Sequence, residues 1–194
     1  MTIEEGLRQA EQGYLKIVEA NSLMADATKN AFLFTWRWWL GIALIILPWT
    51  LWFMFRKKES TNRLLLAGFT SMLLSYAIES IAMSLGKWSY PFKVVPFSPM
   101  LFLPFDLSML PVAVMFFIQL KPNINPFIKA IVFGVLGAFV LEPIFEKICF
   151  YNAKDWLHTY DFFLHSSIFL TSYWLSSMNN FEKIKSDDNT ERGV

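Results

Sequence analysis

Five ionisable residues lie inside long apolar stretches of the sequence, where charge is otherwise almost absent. They are Arg37, Glu79, Asp106, Glu142 and His165. A charged side chain at membrane depth costs at least about 2.5 kcal/mol, so each of these residues calls for a partner, a cavity or a function. Three carboxylates would repel one another in a low-dielectric pocket unless some keep their protons or a cation joins them. The set predicts a pocket for a cation, a proton or a small polar solute.

The same residues also have a purely structural interpretation. Arg37 could pair with Glu79 or Asp106 and lock the helices together, and Glu142 could be protonated and donate to a carbonyl. His165 could be a satisfied interior histidine. The excess of acid over base argues against this structural interpretation, because such an excess is more typical of a binding site.

The composition places these residues in a membrane protein. Hydrophobic residues make up 55% of the chain, 18% is aromatic and 17% is charged, and a soluble domain of this size could not hide that much apolar surface. We predict an all-α, polytopic helix bundle with about five transmembrane helices. Cys149 is the single cysteine, which excludes an internal disulfide and a cysteine metal cluster. No phosphate-binding loop and no same-helix histidine pair at metal-ligand spacing is present, so we expect no cofactor. The basic cluster is short and juxtamembrane, so we expect no nucleic-acid partner.

Runs of bilayer-spanning length divide the chain into three parts. Residues 1–30 predict an amphipathic helix, because Thr2 and Glu5 have the capping-box spacing before a helical apolar pattern. This helix would lie along the membrane surface or the bundle flank, or join a coiled-coil partner. Residues 31–178 are predicted to form the transmembrane bundle, and residues 179–194 are predicted to form a charged, disordered cytoplasmic tail. The predicted spans are at about residues 34–55, 64–85, 100–120, 127–148 and 160–178.

The five ionisable residues fall at a common depth within these spans. At about 1.5 Å rise per residue, each lies roughly 5–10 Å below the same boundary when the spans alternate in direction. Four of them also share a helix face with small or hydroxyl residues, which mark helix contacts in lipid. The stripes are Gly41 and Pro48 with Arg37, Gly68, Ser71 and Ser75 with Glu79, Gly134 and Ala138 with Glu142, and Ser172 and Ser176 with His165. We therefore expect the ionisable side chains to point into the bundle.

The connector at residues 86–99 is too rich in proline for a helix and too aromatic for a plain solvated loop. We expect it to fold back onto the bundle mouth. Trp88 and Tyr90 would then be either interfacial anchors or a lid over the pocket. Pro111 and Pro143 free backbone carbonyls that need a partner or a water-lined cavity. Glu146 stands beside Lys147, and we expect the two to form a surface ion pair.

Lysine and arginine in the short connections indicate the orientation. The larger basic group, which contains Arg56, Lys57 and Lys58, is expected in the cytoplasm. The N-terminus would then lie outside, the C-terminus in the cytoplasm, and the acidic pocket would face the outer side.

Several short segments carry a resemblance to a known family. They are Trp36, Pro48 and Trp49, then Glu79 with residues 86–91, residues 104–108 with Pro111, and Leu141, Glu142 and Pro143. Over about residues 34–178 the chain resembles a family of small multi-pass membrane proteins of unknown function from endospore-forming bacteria. This resemblance implies the bacterial cytoplasmic (inner, or plasma) membrane and no assigned reaction. A weaker likeness links the chain to small membrane carotenoid cyclases, on acidic residues beside prolines and on Gly-x-Trp connectors.

Three functions stay open at this point. The first is binding or transport of a cation, proton or small polar solute through Glu79, Asp106, Glu142, His165 and Arg37. The second is a membrane enzyme acting on an isoprenoid or other lipid, with Glu142 or Asp106 as general acid. The third is a non-catalytic assembly factor that recruits a partner through its N-terminal helix. The lipid bilayer is the expected partner in every case, and a homo-oligomer is compatible with each.

Overall fold

The computed structural model describes residues 1–97 and 101–178, and its secondary structure is helical. The helices are α1 (Ile3–Ala27), α2 (Trp36–Phe55), α3 (Thr61–Ser84), α4 (Leu110–Gln119), α5 (Pro126–Leu136), α6 (Glu142–Lys147) and α7 (His158–Ser177). Segments of π-helix occupy Thr28–Phe32, Phe105–Met109 and Gly137–Leu141, and a 3-10 turn occupies Lys58–Ser60. The described part of the chain contains no β-strand. The predicted all-α membrane helix bundle is confirmed.

Within residues 1–97 and 101–178, three helical stretches are long and apolar enough to cross a bilayer: Trp36–Phe55, Lys58–Ser84 and Pro126–Lys147. The apolar helix Phe105–Gln119 is shorter, and at 1.5 Å per residue its length is about 22 Å. Helix α7 spans 20 residues and carries several polar side chains. The predicted count of five spans stays a prediction. Pro99, Met100 and the predicted tail at 179–194 lie outside the described residues.

Helix α3 lies at the centre of the bundle and packs against α4 and α7, while α7 also packs against α5. The contact between α5 and α7 depends on Gly134. A Cβ atom there would lie 2.3 Å from Ser166 Oγ and 2.8 Å from the Phe162 carbonyl oxygen. Only glycine allows the two backbones to approach so closely, as expected for helix contacts in lipid.

Helix α2 is joined to the turn before α4 by polar contacts. Pro111 has no N–H for the carbonyl four residues earlier, and that carbonyl, on Leu107, accepts a hydrogen bond from Trp49 Nε1 at 2.9 Å. In the same turn, Ser108 Oγ donates to the Ile45 carbonyl at 2.8 Å. The expectation that a proline-freed carbonyl finds a partner is confirmed for Pro111.

Helix α1 forms as the sequence predicts. The Thr2 N–H donates to Glu5 Oε2 at 2.7 Å, and the Glu5 N–H donates to Thr2 Oγ1 at 3.2 Å, which completes the capping box. None of its side chains is buried. What covers its apolar residues, membrane surface or partner, stays a prediction.

The connectors after α3 and after α6 meet at one end of the bundle. Backbone hydrogen bonds of 3.0 and 2.9 Å pair Ser89 with Asn152 in an isolated antiparallel bridge. Around this bridge lies a set of buried aromatic side chains, which we call the aromatic plug: Trp88, Tyr90, Phe92, Phe102, Phe150 and Tyr151. The first connector thus folds back into the bundle, as its composition predicts.

Candidate functional site

Glu79 lies near the end of α3, on the face that packs into the bundle, and is 6% exposed. Both of its carboxyl oxygens accept hydrogen bonds from the aromatic plug. Trp88 Nε1 donates to Oε2 at 2.8 Å, and the Tyr90 hydroxyl donates to Oε1. Trp88 and Tyr90 are therefore buried partners of an acid at this bundle end.

Asp106 lies in the π-helical turn before α4 and is completely buried. Its Oδ1 accepts a hydrogen bond from Ser75 Oγ at 2.6 Å, and its Oδ2 accepts one from the Phe102 N–H at 2.9 Å. The carboxyl group thus joins α3 to the chain that leads into α4. A π-helical turn changes the direction of side chains within a helix and is frequent at functional sites.

Lys93 in the first connector, which is not among the predicted site residues, is buried near these acids. Its Nζ lies 3.3 Å from the Leu101 carbonyl oxygen and 5.5 Å from the centre of the Tyr90 ring. Burial lowers the pKa of Lys93 to about 8, opposed by attraction to Glu79 and Asp106. Burial also raises the pKa of Tyr90 and Tyr151, so both phenols keep their protons at neutral pH.

A second acidic group forms where α6 meets the start of α7. His158 Nδ1 lies 3.0 Å from Glu142 Oε2 and 4.0 Å from Asp161 Oδ2, while His158 Nε2 lies 3.5 Å from Glu146 Oε2. We call Glu142, Glu146, His158 and Asp161 the acid–histidine cluster. Among the described residues, no ion pair joins Glu146 to Lys147, which corrects our expectation for Glu146, because its carboxyl group faces His158 and the Ala153 N–H instead.

His165 lies one turn further along α7 and is buried beside the cluster. Its Nε2 is 3.6 Å from Glu142 Oε1, and its Nδ1 has no hydrogen-bond partner. Gly137 makes room for the ring, because a Cβ atom at that position would lie 2.5 Å from His165 Nδ1. The interpretation of His165 as a satisfied interior histidine is therefore wrong, because neither ring nitrogen makes a hydrogen bond with a described residue.

Asp161 presents an unequal pair of oxygens. Oδ1 accepts a hydrogen bond from Trp156 Nε1 at 2.8 Å, whereas Oδ2 is buried without a hydrogen-bond partner. A buried polar atom without a partner costs roughly 1–3 kcal/mol, so native proteins contain few of them. The orphan oxygen faces the acid–histidine cluster.

A cavity of about 40 Å³ connects the two acidic groups. Its polar lining consists of Ser75, Glu79, Tyr90, Glu142, Asp161 and His165, with Trp88 and Tyr151 also at its wall. A water molecule needs roughly 10–15 Å³ by this measure, so the cavity has room for about three waters or a small ion. Within the described residues, neither lysine nor arginine lines it.

A larger apolar cleft lies on the other side of His165. It has a volume of about 300 Å³ and is enclosed mainly by α4, α5 and the π-helical turn that follows α5. Phe105 and His165 line both this cleft and the polar cavity. An apolar chain in the cleft would therefore end beside the polar cavity.

The structure brings together most of the predicted site. Glu79, Glu142 and His165 line the polar cavity. Asp106 lies behind the cavity wall and accepts a hydrogen bond from Ser75, which lines the cavity. Arg37 is not part of this group. Its guanidinium carbon lies 5.2 Å from the centre of the Trp36 ring, and no ion pair of Arg37 occurs in the described part of the chain. The physical reason is that α2 packs on the turn before α4 through Ile45 and Trp49, which lie about two to three helical turns beyond Arg37.

Sequence reasoning missed His158 and Asp161. The predicted span begins at Tyr160, so His158 falls in a connector, and Asp161 is not among the predicted site residues. A signal was available, because positions 158, 161 and 165 have the spacing of one helix face.

No protein-family model, no curated protein and no solved structure matches this chain.

Proposed function

We propose that this protein binds a small cation or protons in its intramembrane acidic cavity and passes them across the bacterial cytoplasmic membrane. The observation that carries the proposal is the lining of the cavity: three carboxyl groups, of Glu79, Glu142 and Asp161, with no lysine or arginine among the described lining residues. In a low-dielectric site such a surplus of acid must be neutralised by bound protons or by a cation.

The size of the cavity selects among the predicted ligands. Pockets for organic ligands have volumes of roughly 300–1,000 Å³. The polar cavity measures about 40 Å³, which suits a dehydrated ion or a few waters and leaves no room for a larger polar solute. We therefore narrow the predicted ligand to a cation or a proton.

Exposure within the acid–histidine cluster supports an entry path. The exposed fraction of the side chain falls from 35% for Glu146 and 27% for His158 to 6% for Asp161. A cation from water would meet Glu146 and His158 first and then reach the buried carboxyls. In the orientation that the basic connections favour, with the N-terminus outside, this entry faces the outer side.

Flux through proteoliposomes tests the proposal. The purified full-length chain is reconstituted, and proton and cation uptake are followed for the wild type, Glu79→Gln, Glu142→Gln and the control Glu59→Gln. Glu59 is an exposed glutamate in the turn between α2 and α3, remote from the cavity. We expect at least tenfold slower uptake for the two cavity variants and wild-type uptake for the control. Equal uptake in all four proteins, at equal folded amounts, would contradict the proposal.

The apolar cleft favours a second candidate function, an enzyme that acts on an isoprenoid or other lipid. A lipid chain in the 300 Å³ cleft would place its end near His165 and the Glu142 carboxyl, which could serve as a general acid. Lipid analysis of a deletion strain and of a strain carrying Glu142→Gln tests this candidate. It requires the same lipid or pigment to change in both strains, and an unchanged profile would rule against it.

A further inference from the structure

The acid–histidine cluster has the donor set and the spacing of a metal site. Glu142, His158 and Asp161 each offer one ligand atom, and these atoms lie within 4.8 Å of one another. The separations from His158 Nδ1 are 3.0 Å to Glu142 Oε2 and 4.0 Å to Asp161 Oδ2. Two ligands at about 2.1 Å from a tetrahedral ion lie about 3.4 Å apart, so small side-chain movements would complete the coordination.

The orphan oxygen of Asp161 points independently to a ligand. The side chain is more than nine-tenths buried, its Oδ1 is held by Trp156, and its Oδ2 faces Glu142 and His158 without a hydrogen-bond partner. A bound cation would satisfy this oxygen. We propose that Glu142, His158 and Asp161 bind one divalent transition-metal ion, which enters the polar cavity as its cation.

The groups behind the three ligands have the arrangement that metal sites require. A histidine that binds a metal through one nitrogen usually donates its other N–H to a carboxylate, which fixes the ring. His158 Nε2 lies 3.5 Å from Glu146 Oε2, so Glu146 can take this role. Trp156 holds Asp161 from behind through a hydrogen bond of 2.8 Å, and His165 Nε2 lies 3.6 Å from Glu142 Oε1.

The donor types select the class of ion. One imidazole nitrogen with two carboxylate oxygens suits Zn²⁺ or Mn²⁺, whereas Mg²⁺ and Ca²⁺ prefer oxygen donors alone. Two ionised carboxylates also neutralise a divalent charge, which reduces the penalty of holding the ion near membrane depth. The inference rests on the proposed function, because it names the cation that the cavity receives.

Metal binding to the full-length protein in detergent micelles tests this site. The affinity tag is removed, the protein is stripped with a chelator and dialysed against Zn²⁺ or Mn²⁺, and bound metal is counted by elemental analysis. Affinity is measured by competition with a chromophoric chelator. We expect one Zn²⁺ per wild-type chain, with at least 100-fold weaker binding of Mg²⁺ and Ca²⁺. A wild type without Zn²⁺ or Mn²⁺, or with equal affinity for Ca²⁺, would overturn the inference.

Matched variants separate the cluster from incidental binding. Asp161→Asn and His158→Gln should each weaken Zn²⁺ binding at least 100-fold, and Glu146→Gln should weaken it by roughly 10- to 100-fold. Two controls change exposed residues in the connector between α6 and α7. Asp155→Asn and Cys149→Ser should bind Zn²⁺ as the wild type does. Unchanged binding by Asp161→Asn and His158→Gln would overturn the assignment of these ligands.

A second measurement covers variants that fold poorly. Zn²⁺ should raise the melting temperature of the wild type and of Asp155→Asn, and leave that of Asp161→Asn unchanged. A rise of equal size in all three would count against the site. Failure of the inference is distinguishable from failure of the proposed function, because proton uptake by metal-free proteoliposomes is measured separately. Metal-free uptake that depends on Glu79, without Zn²⁺ or Mn²⁺ binding, overturns only the metal assignment.

Discussion

Two of the buried polar groups in this bundle differ in how completely their atoms are paired. Lys129, in the first turn of α5, donates to the carbonyls of Phe117, Ile118 and Leu120 at 2.7, 3.3 and 2.6 Å. These bonds use all three ammonium hydrogens. In the acid–histidine cluster, by contrast, Asp161 Oδ2 has no hydrogen-bond partner.

Gln119 completes the paired group. Its Oε1 accepts from the Lys57 N–H at 3.3 Å, and its Nε2 donates to the Phe55 carbonyl at 3.2 Å. Together Lys129 and Gln119, which we call the lysine brace, satisfy backbone groups at the C-terminal ends of α4 and α2, where a cation is favoured. In the lysine brace, the side-chain polar atoms are thus hydrogen-bonded to backbone groups at helix ends that would otherwise have no partner.

The comparison bears on the structural interpretation of the acidic cavity. If Glu142, Asp161 and His165 served packing alone, their polar atoms should be paired as those of the lysine brace are. They are not, since Asp161 Oδ2 and His165 Nδ1 both lack a hydrogen-bond partner. We therefore expect changes in the brace to act on stability, and changes around the cavity to act on ligand binding as well.

The largest loss of stability is expected for Lys129→Met. The change keeps the apolar stem and leaves three carbonyl groups without their donor, which should lower the free energy of unfolding by about 3 kcal/mol. Titration with sodium dodecyl sulfate from mild detergent measures it. Lys121→Met, at an exposed position, is the control and should change little. Equal stability of the two variants would show that Lys129 is not a brace.

Gly137→Ala should have the next largest effect. The added methyl group would overlap the His165 ring, so the ring or α5 must shift, at about 2 kcal/mol. Zn²⁺ affinity should fall with it, because His165 supports Glu142. Gly13→Ala is the control, since nothing lies within 4 Å of a Cβ atom at Gly13. Wild-type stability and Zn²⁺ affinity in Gly137→Ala would contradict the packing of His165.

Trp88→Phe removes one donor to Glu79 while it keeps an aromatic ring in the plug. We expect a loss of about 1 kcal/mol in unfolding free energy and altered uptake in proteoliposomes. Trp174→Phe, at a side chain that is 61% exposed, is the matched control. If both variants behave as the wild type does, the hydrogen bond between Trp88 and Glu79 has no energetic role.

The smallest effect is a slope in the pH dependence of stability. The pKa of Lys93 is about 8 in the folded protein and 10.5 in the unfolded chain, so between these values the unfolded chain binds more protons. Stability should therefore rise as pH increases from 8. Tyr90 and Tyr151 act in the opposite direction above pH 10.0, because burial raises their pKa values. Lys93→Met should lack the rise, and a melting temperature that climbs equally in both proteins would assign it elsewhere.

The sequence predicts the helices and their inward faces well. Apolar runs of bilayer length place α2 and α3 within a few residues, and the spacing from Gly68 to Ser75 correctly turns Glu79 into the bundle. These features depend on local periodicity and on the length of apolar runs relative to the bilayer thickness. Both can be read from a single sequence.

The membership of the site depends on contacts between distant segments, and there the prediction fails. Arg37 has the same predicted depth as the acids, but periodicity does not say which helix α2 meets. His158 and Asp161 lie in the polar first turn of α7. The low hydropathy of this turn makes it look like part of a connector. Lys93 belongs to a loop, and its burial arises from the aromatic plug, which no local pattern reveals.

Cation uptake by proteoliposomes that contain equal folded amounts of wild type, Glu142→Gln and Lys129→Met tests the central claim most directly. The account predicts at least tenfold slower uptake for Glu142→Gln and nearly wild-type uptake for the folded fraction of Lys129→Met. Wild-type uptake by Glu142→Gln, or the same loss in both variants, would contradict it.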